Sequence, residues 1–394
     1  MLSKNREDAV IALCQELIRQ KSYSGEEGGV VTVLQDYMRK KGFDDVTVDR
    51  YGNIVGCIKG HRPGKKLLFD GHIDTVPVTN PDEWPYPPFA AEVHGGNMYG
   101  RGTSDMKGAV AAFVCAAANF AEDTKRDFAG EIFVAGVVHE ECFEGVAARE
   151  ISKAVSPDYV VIGEASELNV KIGQRGRAEI VVETFGKPCH SANPEKGINA
   201  VYKMAQVIEA IRGLKPPEHP VLGKGILELT DIKSAPYPGA SVVPEYCRAT
   251  YDRRLLVDET KESVLAPIQA LLNEMMLKDP ALKVNVSYAV GKEICHTKAP
   301  IEGERFFPGW LYDEKADFVR AVMDKLREMG YRPSITQYNF CTNGSHYAGE
   351  AGIPTFGLGP SQESLAHTVG EYIAIEQLTK VTDCYYGVMQ ALLV

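Results

Sequence analysis

The sequence predicts an α/β protein with a largely parallel sheet, interrupted by an inserted α+β segment. Helical and apolar strand-like segments alternate from residue 5 to residue 166, and each strand ends in polar residues. Between residues 178 and 290 the strands instead alternate apolar and polar residues, in the order β-α-β-β-α-β. Because helix–strand alternation returns after residue 313, one domain is expected to resume after the insert.

The first part of the chain carries the signals of an open sheet covered by helices. In order, we predict helices at 5–20 and 27–41, a β-hairpin at 44–60, a strand at 65–74, an Ala-rich buried helix at 106–122, a strand at 131–141, a short helix at 146–154 and a strand at 158–166. The last three strands have continuous apolar centres and polar carboxyl ends, which is typical of parallel strands covered on both faces. A site is therefore expected at their carboxyl ends.

The insert and the C-terminal segment follow from the same patterns. We predict a strand at 178–186, a helix at 196–213, strands at 226–233 and 246–256, a helix at 259–276, a strand at 282–290, a Gly/Pro-rich return linker at 291–312, a helix at 313–329, a strand at 354–358 and a helix at 374–391. The insert resembles a ferredoxin-like fold in its element order. The predicted domains are 1–177 and 294–394 for the interrupted domain and 178–293 for the insert.

Composition excludes several classes of function. The 394 residues are 44% hydrophobic with a formal net charge of −10, so neither nucleic acid nor an anionic membrane is an expected partner. The nine cysteines form no C-x-x-C pair, which fits reduced thiols in a cytoplasm rather than a disulfide framework or a cysteine–zinc site. The first 20 residues lack the apolar core of a signal peptide, and no run of about 18 apolar residues exists. A cytoplasmic two-domain protein is predicted.

Acidic residues and histidines accumulate where the predicted strands end. They are His72, Asp74, Asp105, Glu140, Glu141, Glu164 and, in the C-terminal segment, His367. Brought to one sheet edge, these acids would repel one another without a compensating cation. Imidazole and carboxylate ligands without cysteine suit zinc, and also cobalt or manganese. The sequence therefore predicts a divalent metal cluster.

Three other enzyme classes are excluded by their motifs. In YGRGTSDMKG the third glycine of a dinucleotide loop is replaced by Asp105, whose charge would repel a pyrophosphate. No G-x-S-x-G motif of a serine hydrolase occurs. His139 and Glu140 do not begin an H-E-x-x-H motif. Strand alternation predicts that His139 points into the core.

The motifs HIDTVP, GRGTSDMKG, HEE, GEAS and LAHTVGE resemble, in this order, those of the M20 metallopeptidase/deacylase family. The resemblance spans nearly the whole chain. It implies a catalytic domain with an inserted lid domain, and it is closest to the succinyl-diaminopimelate desuccinylase and acetylornithine deacetylase branch. The family also includes carboxypeptidases and aminoacylases.

The resemblance implies a site with two divalent metal ions, zinc being the first expectation. His72 and Glu164 would bind one ion, and Glu141 and His367 the other. Asp105 would bridge the two. His346 is an alternative histidine, but its place at the start of a helix fits the metal less well.

Two further acids are assigned by the resemblance to supporting and catalytic roles. Asp74 would orient the His72 ring without binding metal. Glu140 would be the general base. Because adjacent residues of a strand face opposite ways, Glu140 and Glu141 can share a site only if they lie in a turn. The family often has a cis peptide after the bridging aspartate, here Asp105–Met106.

The insert is expected to contribute substrate contacts. In KPCHSANPEKG, His190 would donate to the developing oxyanion, often from the neighbouring subunit of a homodimer formed through the lid. Arg253 would hold a substrate carboxylate, because Arg254 should face the other way in the strand. Ser241 stands where the family usually has asparagine, so either it acts through a water or the substrate differs.

The expected activity is hydrolysis of the amide bond of an N-acyl amino acid or a small peptide that bears a carboxylate. A dipeptidase or aminopeptidase of the same family is the alternative within the enzymes. A non-catalytic metal-binding scaffold is the alternative outside them, although a scaffold has no use for a base at Glu140.

Overall fold

Helices and strands form in the first part of the chain where apolar periodicity predicts them. The computed structural model describes residues 2–393. Its elements up to residue 174 are α1 (Lys4–Arg19), α2 (Gly28–Lys40), β1 (Asp45–Val48), β2 (Ile54–Lys59), β3 (Arg62–His72), β4 (Glu92–His94), β5 (Asn97–Tyr99), α3 (Gly108–Thr124), β6 (Ala129–Val137), α4 (Ala148–Val155), β7 (Tyr159–Ile162) and β8 (Val170–Gln174). The predicted hairpin is confirmed, since β1 pairs antiparallel with β2.

The insert forms an antiparallel sheet with two helices. Its elements are β9 (Gly176–Phe185), α5 (Ala200–Ile211), β10 (Glu218–His219), β11 (Gly223–Lys224), β12 (Ile226–Ala235), β13 (Tyr246–Leu255), α6 (Lys261–Lys278) and β14 (Lys283–Tyr288). The main strands lie in the order β12-β13-β9-β14, and every neighbouring pair is antiparallel. Apolar residues of α5 and α6 share one core with β9 and β13. This is the predicted ferredoxin-like arrangement.

The segment after the insert contains more strand than predicted. Its elements are β15 (Val290–Ile294), β16 (Pro300–Glu304), β17 (Phe306–Phe307), β18 (Trp310–Leu311), α7 (Asp317–Glu328), β19 (Ile335–Tyr338), β20 (Thr355–Gly357), β21 (Tyr372–Ala374) and α8 (Ile375–Leu393). The prediction of an irregular linker at 291–312 is wrong. Strands β15 and β16 form a two-stranded sheet in this segment. Only Pro308 and Gly309 lie between strands, and the strands of this segment are too short to show a period.

The chain divides into two units. The smaller unit comprises Arg175–Gly291 and Glu304–Trp310, and the larger unit contains the remaining described residues. The predicted insert, 178–293, begins three residues later than this unit and omits its second segment. That segment belongs to the smaller unit because Phe306 and Phe307 are buried and pair with β9.

The larger unit is built on a nine-stranded sheet of mixed direction. Its order is β1-β2-β6-β3-β7-β20-β8-β18, with β19 beside β8, and the four central strands are parallel. The carboxyl ends of β3, β6 and β7 therefore meet at one edge. Within residues 2–393, no helix combines the length and the apolar character needed to cross a membrane. All nine cysteines are free thiols.

Candidate metal centre

His72 is the last residue of β3 and is almost completely buried. Its Nδ1 lies 2.8 Å from the backbone carbonyl oxygen of Asp74, so Nδ1 carries a proton and donates it. Its Nε2 faces Asp105 Oδ1 at 2.8 Å and Glu164 Oε1 at 3.5 Å. Burial lowers the pKa of His72, but the two carboxylates outweigh it and raise that pKa well above its ordinary value. Nε2 is thus the ring nitrogen presented to a cation.

Asp105 lies between two histidines. It belongs to a π-helical turn, Thr103–Lys107, directly before α3. Its Oδ1 contacts His72, and its Oδ2 lies 3.1 Å from His367 Nε2. Burial raises the pKa of Asp105, but the two imidazoles more than offset this and hold that pKa below its usual range. The Asp105–Met106 peptide bond is cis, which confirms that prediction.

Glu141 and His367 form the second contact of the cluster. His367 Nε2 lies 3.0 Å from Glu141 Oε2 and 3.2 Å from Oε1. The hydrogen bonds that His367 donates to Asp105 and Glu141 raise its pKa to about 10, although the imidazole is about half exposed. His367 thus contacts both Asp105 and Glu141.

Glu140 and Glu164 lie on the other side, beside His72. Ligand atoms of His72, Glu140 and Glu164 lie within 4.8 Å of one another, as do those of His72, Asp105 and Glu141. Burial, with Asp105 second, raises the pKa of Glu164 to about 8. Burial also raises the pKa of Glu140 well above its usual value. Oxygen Oε1 of Glu140 has no hydrogen-bond partner among the described residues.

These residues fit a divalent metal pair. Burial without a cation disfavours the ionised forms of Glu140, Glu141 and Glu164, which is the physical cause of their raised pKa values. A donor set of imidazole and carboxylate without thiolate suits zinc, cobalt or manganese. Asp105 contacts one histidine with each oxygen, as a bridging carboxylate requires.

Asp74 contacts the His72 ring mainly through its backbone and not through its carboxylate. Its Oδ1 is 3.6 Å from His72 Nδ1, whereas the backbone carbonyl of Asp74 makes the 2.8 Å contact with that ring. The carboxylate instead accepts the backbone N–H of Glu140 at 3.0 Å, that of Glu141 at 3.2 Å and the hydroxyl of Ser24 at 2.7 Å. The backbone of Asp74 thus orients the imidazole, and its side chain holds the turn that carries the two glutamates.

Glu140 and Glu141 lie in the required turn, since β6 ends at Val137. His139 begins this turn in the left-handed region, with φ 55°. Its backbone N–H is 3.3 Å from Oε1 of Glu27, which also accepts the N–H of Gly25 at 2.9 Å. Two buried carboxylates thus accept three successive amides of the turn, and sequence reasoning missed Glu27.

Two other histidines lie outside the cluster. The His139 side chain is buried beside Phe143, which agrees with the predicted core position. His346 lies at the start of a π-helical segment, Ser345–Glu350, and its Nδ1 is 2.8 Å from Glu350 Oε2. Neither candidate ligand group among the described residues includes His346 or His367, but only His367 contacts Asp105 and Glu141.

The remaining predicted site residues belong to the smaller unit. His190 is exposed, its Nδ1 accepts the N–H of Ala192 at 3.0 Å, and its backbone pairs with Val242. Ser241 is exposed as well, and its carbonyl accepts the N–H of Ser191 at 2.9 Å. The His190 and Ser241 segments are therefore neighbours within this unit.

The contacts of Arg253 argue against the expected substrate role. Arg253 is 4% exposed, and its guanidinium forms an ion pair with Glu259. The Arg254 side chain is 29% exposed and contacts Asp252 at 2.8 Å through Nε. Alternation along β13 separates the two arginines as predicted, but the side chain that remains accessible is that of Arg254.

The order and spacing of these residues agree with a known family. The model of peptidase family M20/M25/M40 matches residues 68–391, which include every residue of the cluster. The chain belongs to this family.

Relatives of this M20 chain are aligned over most of their length. It is 33% identical over 365 residues to the uncharacterized protein YgeY of Escherichia coli, covering 91% of this chain and 88% of that protein. It is 30% identical over 398 residues to a succinyl-diaminopimelate desuccinylase of Dinoroseobacter shibae, covering 96% and 98%. A tripeptidase structure from Staphylococcus aureus shares the fold, with a TM-score of 0.75, 17% identity and 98% coverage of both chains.

Proposed function

We propose that this M20 chain is a dinuclear-metal hydrolase that cleaves the amide bond of an N-acyl amino acid or short peptide bearing a carboxylate. The observation that carries the proposal is the contrast between the two glutamates after β6. Glu141 contacts His367, whereas Oε1 of Glu140 has no hydrogen-bond partner among the described residues. One glutamate is thus available as a ligand and its neighbour as a base.

Five residues would act as metal ligands, and one would act as the general base. His72 and Glu164 would hold one ion, Glu141 and His367 the other, and Asp105 both. A bound pair would lower the pKa of water and polarise the scissile carbonyl. Glu140 accepts a proton from the attacking water and returns it to the leaving amine.

Substrate contacts are proposed from the smaller unit. The accessible guanidinium of Arg254, rather than the buried one of Arg253, would bind a substrate carboxylate. His190 is exposed and would donate to the oxyanion, with Ser241 on the adjacent segment. A homodimer formed through this unit is proposed on the family resemblance.

A peptidase activity is the second candidate. The desuccinylase relative favours an N-acyl amino acid, whereas the tripeptidase neighbour favours a short peptide. Metal-loaded protein assayed against N-acetyl, N-succinyl and N-carbamoyl amino acids beside dipeptides and tripeptides separates the two. Turnover of N-acyl amino acids alone would make the protein a deacylase, and turnover of peptides alone would make it a peptidase.

Exchange of the proposed base tests the mechanism. Glu140→Gln keeps the size of the side chain and removes its basicity, so kcat should fall by about 10²- to 10⁴-fold while both metal ions stay bound. Metal content is measured by atomic absorption after dialysis.

Glu141→Gln is the matched neighbour, because it alters a ligand and should lower metal content as well as activity. Loss of metal from the Glu140 variant, or full activity in it, would contradict the assignment. Metal-loaded wild-type protein that hydrolyses no member of the panel would favour a metal-binding scaffold.

A further inference from the structure

Glu371 is a fully buried carboxylate that the proposed reaction does not use. Its Oε1 accepts three backbone N–H groups, those of Gly102 at 3.0 Å, Ser104 at 2.8 Å and Asp105 at 3.1 Å. Its Oε2 accepts a hydrogen bond from Arg101 Nη1 at 2.6 Å. All four donors belong to one segment, Gly100–Asp105, which we call the Asp105 turn.

The Asp105 turn needs such an acceptor. Gly102 adopts φ +88° and Asp105 lies outside helical geometry, so these amides have no helical partner. Three N–H groups that point to one place favour the binding of a negatively charged group there. The buried carboxylate of Glu371 is that group. One of these amides belongs to Asp105 itself, so the contact reaches the backbone of the bridging carboxylate.

The same segment is bonded back to Glu371 and its neighbour. The N–H of Gly100 donates to the carbonyl oxygen of Glu371 at 2.9 Å, and the Ser104 hydroxyl donates to that of Tyr372 at 2.6 Å. Arg101 is buried with its guanidinium over the Trp84 ring, 5.3 Å from the ring centroid. The turn and the chain around Glu371 are thus held as one body.

His367 lies four residues before Glu371. The His367 side chain is 52% exposed, and its backbone has φ 62°, so packing alone does not fix it. Its Nε2 nevertheless lies 3.1 Å from Asp105 Oδ2. The hydrogen bonds between the Asp105 turn and the backbone of Glu371 and Tyr372 explain why His367 lies so close to Asp105.

We propose that Glu371 is a positioning residue that fixes the backbone carrying His367 against the Asp105 turn, and thereby sets the spacing of two ligands of one metal ion. This inference rests on the proposed metal centre. The two polar residues of LAHTVGE would then have different functions. His367 would bind metal, and Glu371 would position the backbone that carries His367.

Glu371→Gln tests the inference through metal affinity. The glutamine oxygen can still accept N–H groups, but its amide group faces the Arg101 guanidinium, donor against donor. We expect the affinity for one of the two zinc ions, the one that Asp105 and His367 would hold together, to fall by about 10- to 100-fold. Zinc titration of the apoprotein by calorimetry measures each site.

Glu371→Asp is the second variant in case the first does not fold. It keeps the charge beside Arg101 but withdraws the carboxylate by one methylene from the three amides. The same loss of affinity is expected, because the amides, and not the charge alone, position the turn.

Glu259→Gln is the matched control. Glu259 is the partner of the other buried Arg–Glu pair, with Arg253, and accepts the N–H of Leu256 at 2.7 Å. This variant should lower the melting temperature and leave zinc affinity unchanged. It thus separates a general loss of stability from a loss of positioning.

Titration of the wild-type protein shows whether the metal centre itself or only the role of Glu371 is wrong. If the wild-type protein binds no metal pair, both the proposed centre and this inference are overturned. If it binds two ions and a folded Glu371 variant binds them with the same affinities, only the role of Glu371 is overturned.

Discussion

At the residue scale, identical side chains take different roles because their neighbours differ. Glu141 contacts an imidazole, Glu140 retains an unpartnered oxygen, and Glu371 accepts four hydrogen bonds from one turn. Burial raises the pKa of all three carboxyl groups, and of these only Glu371 accepts backbone amides and a guanidinium, which lower its pKa in part, to about 7. The local sequence cannot distinguish these cases, because the compensating groups come from distant parts of the chain.

Asp74→Asn tests the role of the Asp74 carboxylate. The amide group of asparagine would face the N–H of Glu140 or Glu141, so one charge-assisted hydrogen bond of about 1.5–3 kcal/mol is lost. We expect kcat to fall by about 10- to 100-fold, measured by steady-state kinetics on metal-loaded protein.

Ser24→Ala is the comparison for that variant, because it removes the third contact of Asp74 and leaves both amide contacts intact. Its effect on kcat should be smaller. Equal effects of the two variants would show that the amides of the turn are not what matters.

The sequence named residues that the structure brings together, but it did not reveal the residues that support them. The five proposed ligands and the proposed base lie close together, and their roles remain proposals. Asp74 was placed correctly beside His72, but its carboxylate acts on another element. The choice of Arg253 over Arg254 rested on strand alternation. Alternation shows that the two side chains lie on opposite faces of β13, but it does not show which face is buried.

At the element scale, turns and short strands position the site. The turn after β6 places Glu140 and Glu141 together only because three successive amides, from His139 onward, are held by Glu27 and Asp74. The alternation of a strand would have separated these two side chains. The sequence required a turn here, but the acids that stabilise it come from the residue before α2 and from the loop after β3.

Phe306→Ala tests the return of β17 to the smaller unit. Phe306 is 6% exposed and packs edge-on against Tyr288, with ring centroids 5.2 Å apart. Removing a buried phenylalanine side chain should lower the free energy of unfolding by about 3–5 kcal/mol. Chemical denaturation followed by circular dichroism measures the change.

Val290→Ala is the control on an exposed position of the same unit. Val290 is 50% exposed, so its truncation should change stability by about 0.5 kcal/mol or less. If both variants were equally stable, the segment Glu304–Trp310 would not contribute to the core of that unit.

At the scale of the whole molecule, the metal centre joins distant parts of the chain. Its proposed ligands come from β3, the turn before α3, the turn after β6, the end of β7 and the loop before β21. Metal bound by these residues in the folded state and not in the unfolded chain must stabilise the fold.

Metal removal should therefore destabilise the protein. At a free zinc concentration of about 100 times Kd, each site contributes about 2.7 kcal/mol, and chelation removes this contribution. Differential scanning calorimetry of the chelated and the zinc-loaded protein measures the shift in melting temperature. The Glu140→Gln variant should show the same shift, and a melting temperature independent of zinc would contradict the metal centre.

The sequence by itself determined the fold class, the ferredoxin-like insert and the identity of the polar strand ends. These features are local, because apolar periodicity follows directly from the geometry of a helix or strand. The family motifs suggest which residues bind metal and which acts as base, because each motif is a short contiguous stretch that can be recognised in the sequence.

Only the tertiary structure decided which acids support the others and which guanidinium stays accessible. The amide of Ser104 and the carboxylate of Glu371 are 267 residues apart in sequence, and no local pattern predicts that they meet. Burial of Arg253 and the return of Phe306 to β9 likewise depend on the assembled core. Long-range hydrogen bonds satisfy buried polar groups wherever the fold brings them together, so they become visible only once the chain is folded.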